Sequence, residues 1–246
     1  MAAITMSERF FVERSLNGDQ ATLVDTEAHH LIHVMRGRPG DRVTLFDGTG
    51  MEYTAEVTKV GRGEVALTIV DQKIVDRELP IHLTLAVAMP KGDRQRWLVE
   101  KAVELGVSRL VPLRTARSVA QPESGAICRM VRWVIGASKQ CGRNRLMEIA
   151  DPVDWAQLLD DRSGGLVRLF AHPGGQNLTP GGYADSDSKT VIAAVGSEGG
   201  FADDEVAAAN DAGWQAVGLG RRILRVETAA MVMATILAVQ HEGSTD

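Results

Sequence analysis

After residue 80 the chain repeats one pattern, in which a short apolar run precedes a segment with apolar residues at helical spacing. The predicted strands cover residues 81–88, 107–113, 166–171, 190–195 and 215–219. The predicted helices cover residues 94–105, 126–141, 203–212 and 228–240. Strands that alternate with helices are joined by crossover connections, which make neighbouring strands parallel. The sequence therefore predicts an α/β domain with a mostly parallel sheet.

The first 76 residues follow a different pattern, because short β-like runs are separated by turn signals rather than helices. Polar and apolar residues alternate over residues 42–46 and 52–60, and a further strand is predicted over residues 64–70. Asp47-Gly48 and the GRG sequence at residues 61–63 are turn signals. These strands predict a small barrel or sandwich. We place the domain boundary in the charged segment before Pro80, which gives domains of residues 1–76 and 77–246.

The composition is that of an ordinary soluble globular protein, with 246 residues, 44% hydrophobic and 24% charged. Its apolar runs are too short to span a bilayer, and the first residues lack a signal-peptide core. We therefore expect a cytoplasmic protein with no membrane partner. Two cysteines without paired spacing and the histidines at 29, 30 and 33 do not complete a ligand set, so no metal is predicted.

The charge is distributed unevenly along the chain. Residues 91–145 hold 12 Lys or Arg and 4 Asp or Glu, whereas the remainder holds 15 and 28, which together give the net charge of −5. Such asymmetry favours a partner that carries negative charge, such as RNA, on one face of the protein. The alternative is a solvated face that binds nothing.

A glycine segment follows the predicted strand at residues 190–195 and precedes a helix, with the sequence GSEGG at residues 196–200. Glycines let backbone amides come close to a ligand because no Cβ intervenes. The segment matches neither the Walker loop nor the dinucleotide fingerprint. The alternative is an ordinary turn, in which Glu198 is solvated or caps the helix.

A second such segment follows the strand at residues 215–219. Arg221, Arg222 and Arg225 crowd the start of the last helix, where cations oppose the helix dipole. They therefore indicate an anion or substrate contact, with a structural ion pair as the alternative. His172 ends another predicted strand. Since the carboxyl ends of parallel strands meet at one edge, these segments predict a single ligand crevice.

Eight motifs, taken together, resemble the ribosomal RNA small subunit methyltransferase E (RsmE) family. They are KGDR at 91–94, EKAVELGV at 100–107, RSV at 117–119, QCGR at 140–143, GSEGG at 196–200, ILRVETA at 223–229, HLIHVMR at 30–36 and FDG at 46–48. The resemblance extends from about residue 9 to residue 240. No one of these motifs is specific, but their order along one chain is.

The resemblance implies an S-adenosylmethionine-dependent enzyme that methylates N3 of a uridine in 16S ribosomal RNA. It implies a SPOUT-type catalytic domain with a deep trefoil knot, a feature that periodicity does not predict. It also implies an N-terminal PUA-like RNA-binding barrel and a homodimer. The expected partner is 16S rRNA or the assembled small ribosomal subunit. The rival functions are ribose 2′-O-methylation by the same fold and a non-catalytic role in RNA binding or ribosome assembly.

The family motifs assign roles to individual residues. The expected cofactor-binding residues are Phe170, His172, Val195, Gly196, Ser197, Glu198, Gly199, Gly200, Leu219, Gly220, Ile223, Leu224, Arg225 and Thr228. Arg225 is expected to stabilise the developing uracil anion, and either Glu198 or Glu227 to accept the proton. The expected RNA-binding residues are Arg9, Arg14, Arg36, Arg38, Lys91, Arg94, Arg117 and Arg143.

Two positions depart from the family pattern. The family usually has proline where this chain has Ser197, and often proline where it has Arg221. Because proline restricts the backbone, we expect these replacements to loosen the two loops.

Overall fold

A computed structural model describes residues 9–13, 16, 18–118, 125–160, 166–179 and 188–242. These residues group into two compact units. One comprises Met1–Glu78 together with Ile135–Leu146, and the other comprises Leu79–Val134 together with Met147–Asp246. The first unit is therefore built from two separate stretches of sequence.

The first unit is organised around a five-stranded sheet. Its strands are β1 (Arg9–Phe11), β2 (Gln20–Val24), β3 (Arg42–Phe46), β4 (Met51–Val60) and β5 (Glu64–Ile74), in the order β1-β3-β4-β5-β2. β1 runs parallel to β3, and the other neighbours are antiparallel. Helix α1 (Asp25–His29) continues into a π-helical turn at His30–Val34.

Alternating residues of these strands form the core of the first unit, as the period of two requires. Leu23, Leu45 and Leu67 are fully buried together with Phe10. The three strands predicted from sequence are present. β1 and β2 were not predicted, and β1 has only three residues, too few for a periodicity to stand out.

The second unit alternates strands with helices. Its strands are β6 (His82–Val87), β7 (Arg109–Arg114), β8 (Glu148–Ile149), β9 (Val153–Asp154), β10 (Leu166–Asn177), β11 (Thr190–Val195) and β12 (Gln215–Gly218). Its helices are α2 (Asp93–Glu104), α3 (Ala126–Cys141), α4 (Trp155–Leu159), α5 (Asp203–Asp211) and α6 (Val226–Glu242). Residues of α3 from Ile135 onward group with the first unit.

The strands of the second unit form a parallel sheet in the order β12-β10-β11-β6-β7-β8, and β9 also pairs with β7. The predicted α/β class is therefore confirmed. All carboxyl ends of these strands lie at one edge of the sheet, which we call the carboxyl edge. Loops that are far apart in sequence meet there.

The last helix returns to the middle of this sheet. The chain leaves the edge strand β12, and α6 then packs against β11, β6 and helix α2. Both β11 and α6 supply buried apolar residues, including Val191, Met233 and Leu237. This return of the C-terminal segment to the sheet centre fits the path expected of a SPOUT domain.

None of the helices among the described residues is long and apolar enough to cross a membrane. Across the same residues, no three His, Cys, Asp or Glu side chains gather closely enough to hold a metal ion.

Candidate functional site

The glycine segment at residues 196–200 lies at the carboxyl edge, directly after β11. The Gly200 amide donates to the Ser197 carbonyl at 2.8 Å, which closes a tight turn. Gly200 has a φ of +70°, a conformation that side-chain-bearing residues rarely adopt. The segment is therefore a turn fixed by glycine, with its backbone presented at the edge of the sheet.

Strand β10 contains a bulge between residues 171 and 176. This bulge and the end of β12 lie against each other at the same edge of the sheet. The pairing of β10 with β12 shifts register between Ala171 and Gln176. A Cβ on Gly175 would lie 2.5 Å from backbone atoms of Ala216 and Val217, so only glycine permits this approach. Sequence reasoning missed Gly175, although its GG pair with Gly174 at the end of an apolar run is the signal that marks it.

Two predicted cofactor residues of β10 have different surroundings. The Phe170 side chain is fully buried in an aromatic cluster with Trp155 and Phe201. His172 is partly exposed, and its Nδ1 accepts a hydrogen bond from the Gly174 amide at 3.1 Å. Phe170 therefore presents no surface to a ligand, whereas His172 offers its ring.

The segment after β12 presents its side chains to solvent. Arg221, Arg222 and Arg225 are exposed, and the apolar side chain of Ile223 is 95% exposed. Gly220 has a φ of +101°, and the space where its Cβ would stand is open. This segment therefore lies at the same edge of the sheet as residues 196–200 and the bulge of β10. The sequence predicted that these segments share one edge.

Ser197 is held by Arg117. The Ser197 hydroxyl donates to the Arg117 carbonyl at 2.9 Å. The Arg117 guanidinium in turn donates to the carbonyls of Gly199 at 2.8 Å and Phe201 at 3.2 Å. The Ser197 hydroxyl therefore makes a bond that proline cannot make, and this bond ties the turn to the loop after β7. We call these three hydrogen bonds the Ser197–Arg117 clamp.

Arg94 connects the two predicted carboxylates. Its Nη1 atom lies 3.4 Å from Glu198 Oε1 and 3.6 Å from Glu227 Oε2. Glu227 is buried in the first turn of α6, and its Oε2 has no hydrogen-bond partner within the described part of the chain. Glu198 is exposed. One cation of α2 thus faces two carboxylates from the two segments singled out in the sequence.

Comparison with known proteins identifies the family of this chain. The model of an RNA methyltransferase domain matches residues 77–238, and that of an RNA methyltransferase PUA domain matches residues 23–70. A ribosomal RNA small subunit methyltransferase E from Synechocystis is 32% identical, over 86% of this chain and 70% of that protein. The chain belongs to the RsmE family of RNA methyltransferases. The Bacillus subtilis member is 27% identical over 96% and 97% of the two chains.

Solved structures of similar methyltransferases support the fold assignment. The Neisseria gonorrhoeae enzyme, bound to S-adenosylmethionine, is 31% identical with a TM-score of 0.86, covering 94% of this chain and 97% of that one. A Legionella pneumophila methyltransferase with the same cofactor bound is 30% identical with a TM-score of 0.85, covering 94% and 96%. The fold class is confirmed: a PUA-like N-terminal unit and a SPOUT-type α/β unit.

Arg9, which sequence reasoning assigned to RNA, is buried in the first unit. Its Nη1 donates to Glu52 Oε2 at 2.7 Å, its Nη2 donates to Asn144, and its guanidinium lies over the Phe46 ring. The prediction of a phosphate contact is wrong for Arg9, because its guanidinium is not exposed.

Glu52, the partner of Arg9, is held in its charged form. Burial alone would raise the pKa of Glu52, but hydrogen bonds from Arg9 and Lys73 outweigh that effect and lower the pKa to about 2. Glu52 is therefore a structural anion, on which the cations of the first unit converge.

The other predicted RNA contacts divide by burial. Arg143 is buried and bonded to Glu78, so it too is structural and that prediction is wrong. Arg36, Arg38 and Lys91 are exposed. Arg94 is partly exposed and Arg117 serves the clamp described above, whereas Arg14 lies outside the described residues.

Proposed function

We propose that the chain is an S-adenosylmethionine-dependent methyltransferase that methylates N3 of a uridine in 16S ribosomal RNA. The observation that carries this proposal is the convergence of the bulged part of β10, the loop after β11 and the loop after β12 at one edge of a parallel sheet. Ligands bind in open α/β sheets at such edges. Relatives of the same family carry S-adenosylmethionine in their solved structures.

The residues at this edge fit the proposed cofactor. Gly200 and Gly220 adopt left-handed backbone conformations, and open space adjoins both. The exposed Ile223 side chain offers an apolar surface for a purine ring. The proposed cofactor-holding set is the one predicted from sequence, except for Phe170, which is fully buried. When bound, the cofactor supplies an electrophilic methyl group on a sulfonium.

The protein's own side chains have to prepare the nucleophile. Uracil N3 carries a proton, so it needs a base to accept that proton and cations to stabilise the charge that develops on O2 and O4. Glu198 and Glu227 are the carboxylates predicted from sequence, Arg94 lies within 3.6 Å of both, and Arg225 precedes Glu227 by two residues. Positioning of the two reactants supplies much of the remaining rate enhancement.

The partners follow from the same reasoning. The exposed Arg36, Arg38 and Lys91 are proposed to contact phosphates of 16S rRNA or of the assembled small subunit. A homodimer is proposed from the family resemblance, and the exposed apolar side chains Trp97 on α2 and Val239 on α6 offer surface for self-association.

Transfer of a labelled methyl group tests the function directly. Naked 16S RNA and assembled small subunits are each incubated with the protein and labelled S-adenosylmethionine, and the RNA is digested to nucleosides. The proposal expects label in N3-methyluridine. Label in a 2′-O-methylated nucleoside supports the ribose methyltransferase instead, and binding of RNA without transfer supports the assembly factor.

A further inference from the structure

A cavity of about 220 Å³ opens at the carboxyl edge, beside the loops discussed above. The loops that follow β6, β7 and β11 form it together with the first turn of α2. The lining residues are Ala88, Met89, Lys91, Arg94, Ser118, Ser197 and Glu198. Sequence reasoning gave this cavity no role.

The position of the cavity follows from the strand order. β11 lies between β10 and β6, and the proposed cofactor segments are the bulged part of β10 and the loops after β11 and β12. The cavity uses the loop after β11 and those on its other side, after β6 and β7. The two sites therefore share only Ser197 and Glu198, so a ligand in the cavity lies beside the cofactor position rather than on it.

The size and lining of the cavity fit one heterocyclic base. Pockets for drug-sized ligands span roughly 300–1,000 Å³, so this cavity is too small for a whole nucleoside cofactor and large enough for one ring. The nearly buried Ala88 and Met89 form an apolar wall, while Lys91, Arg94 and Ser118 supply polar groups. An apolar wall with a few polar groups is how proteins hold a base that has left its stack.

The charges at the cavity match a weakly acidic ring. Arg94 uses a single nitrogen, Nη1, for both of its long contacts, to Glu198 and to the buried Glu227. The rest of its guanidinium carries further N–H donors. Glu227 can hold Arg94 in place from inside the protein while Glu198, which lines the cavity, is released.

We propose that this cavity binds the target uracil, with Arg94 as the cation that stabilises its developing anion and Glu198 as the proton acceptor. The proposal rests on the function proposed above. It selects Glu198 over Glu227 because only Glu198 lines the cavity, and Arg94 over Arg225 for the same reason.

The transfer step balances without any further reactant. The Glu198 carboxylate takes the N3 proton, and the N3 electron pair forms the bond to the methyl carbon. The carbon–sulfur bond breaks, and its electron pair stays on sulfur. The products are N3-methyluridine, protonated Glu198 and S-adenosylhomocysteine, after which Glu198 returns its proton to water. Negative charge that spreads to O2 and O4 during the step is stabilised by Arg94 and Lys91.

Single substitutions on the full-length protein test the proposal, with calorimetric affinity for S-adenosylmethionine and kcat on 16S RNA measured for each variant. Arg94→Gln is expected to lower kcat on the order of 10²–10³-fold and to change cofactor affinity less than about threefold. Glu198→Gln is expected to lower kcat on the order of 10²–10⁴-fold. Arg96→Gln is the matched control, since it removes the same charge from an exposed position on α2, and it should change both quantities less than about twofold.

Arg94→Lys is the control for misfolding, because it keeps the positive charge of the side chain and lacks the additional N–H donors of the guanidinium. Its kcat is expected between those of the wild type and Arg94→Gln. Wild-type kcat in Arg94→Gln would overturn the proposal, as would a loss of kcat in Arg225→Gln alone. A loss of cofactor affinity as large as the loss of kcat would assign the cavity to the cofactor instead. Failure of the wild type to transfer methyl at all would overturn the proposed function as well.

Discussion

Arginines in the two units differ in burial and in what they contact. In the first unit Arg9 and Arg143 are buried against Glu52 and Glu78, and they hold separate stretches of chain together. At the carboxyl edge of the second unit, Arg94 is partly exposed in two long contacts and Arg225 is exposed. A count of basic residues along the sequence treats all four alike. Burial separates arginines that maintain the fold from those available to a substrate.

The largest effect is expected from Arg9→Ala. This change leaves Glu52 buried without its partner, because the two side chains are only 2% and 7% exposed. Removal of one member of a buried pair costs about 3–5 kcal/mol of unfolding free energy. Hydrogen exchange of β3–β5 amides reports on the first unit alone.

Arg42→Ala is the control for that comparison. Arg42 pairs with Glu56 on the surface of the same sheet, and such pairs contribute about 0–1 kcal/mol. Equal losses of stability in the two variants would contradict the distinction between buried and exposed arginines.

Acid should weaken the first unit through Glu52. The pKa of Glu52 is lowered from 4.5 to about 2 in the folded state, so its charged form stabilises the fold above about pH 4.5. That contribution is lost as the pH falls from about 4.5 towards 2. Exchange of the β4 amides should therefore accelerate more in the wild type than in Glu52→Gln over this window. Parallel pH profiles for the two proteins would show that Glu52 is not the group responsible.

A smaller effect is expected from Arg117→Met, which keeps much of the apolar stem and removes the guanidinium from the Ser197–Arg117 clamp. Cofactor affinity should fall about three- to tenfold, because the clamp orders the turn at residues 196–200. Arg129→Met, an exposed position on α3, is the control. A changed salt dependence of RNA binding with unchanged cofactor affinity would restore the phosphate role predicted from sequence.

The smallest effect is expected from Arg38→Gln in the first unit. Arg38 is exposed, so a lost phosphate contact should weaken RNA binding modestly and reduce the slope of log affinity against log salt by about 1. Lys59→Gln removes the same charge from an exposed position of β4 outside the predicted contacts. Identical slopes for both variants would remove Arg38 from the RNA surface.

The sequence predicted the parallel sheet and its edge because strand and helix periods are local properties. Helix α3 and strand β11 match their predicted bounds, and the glycine turn after β11 lies where its spacing indicated. The partners of individual arginines were not predicted. Arg9 meets Glu52 at a separation of 43 residues and Arg143 meets Glu78 at 65, distances at which sequence spacing carries no information.

The same limit applies to Ser197. Its partner Arg117 is 80 residues away in the sequence. The sequence around Ser197 therefore shows only that proline is absent. Gly175 and Gly218 were missed for a related reason, because their role depends on how closely β10 approaches β12. Local patterns thus located the edge, and long-range contacts decided what its residues do.

Hydrogen exchange with and without S-adenosylmethionine tests the location of the site most directly. Cofactor binding at the carboxyl edge should slow exchange in residues 170–175, 195–200 and 219–228, while the β1–β5 sheet of the first unit stays unchanged. Slower exchange confined to the first unit, or none in these three segments at saturating cofactor, would contradict the account.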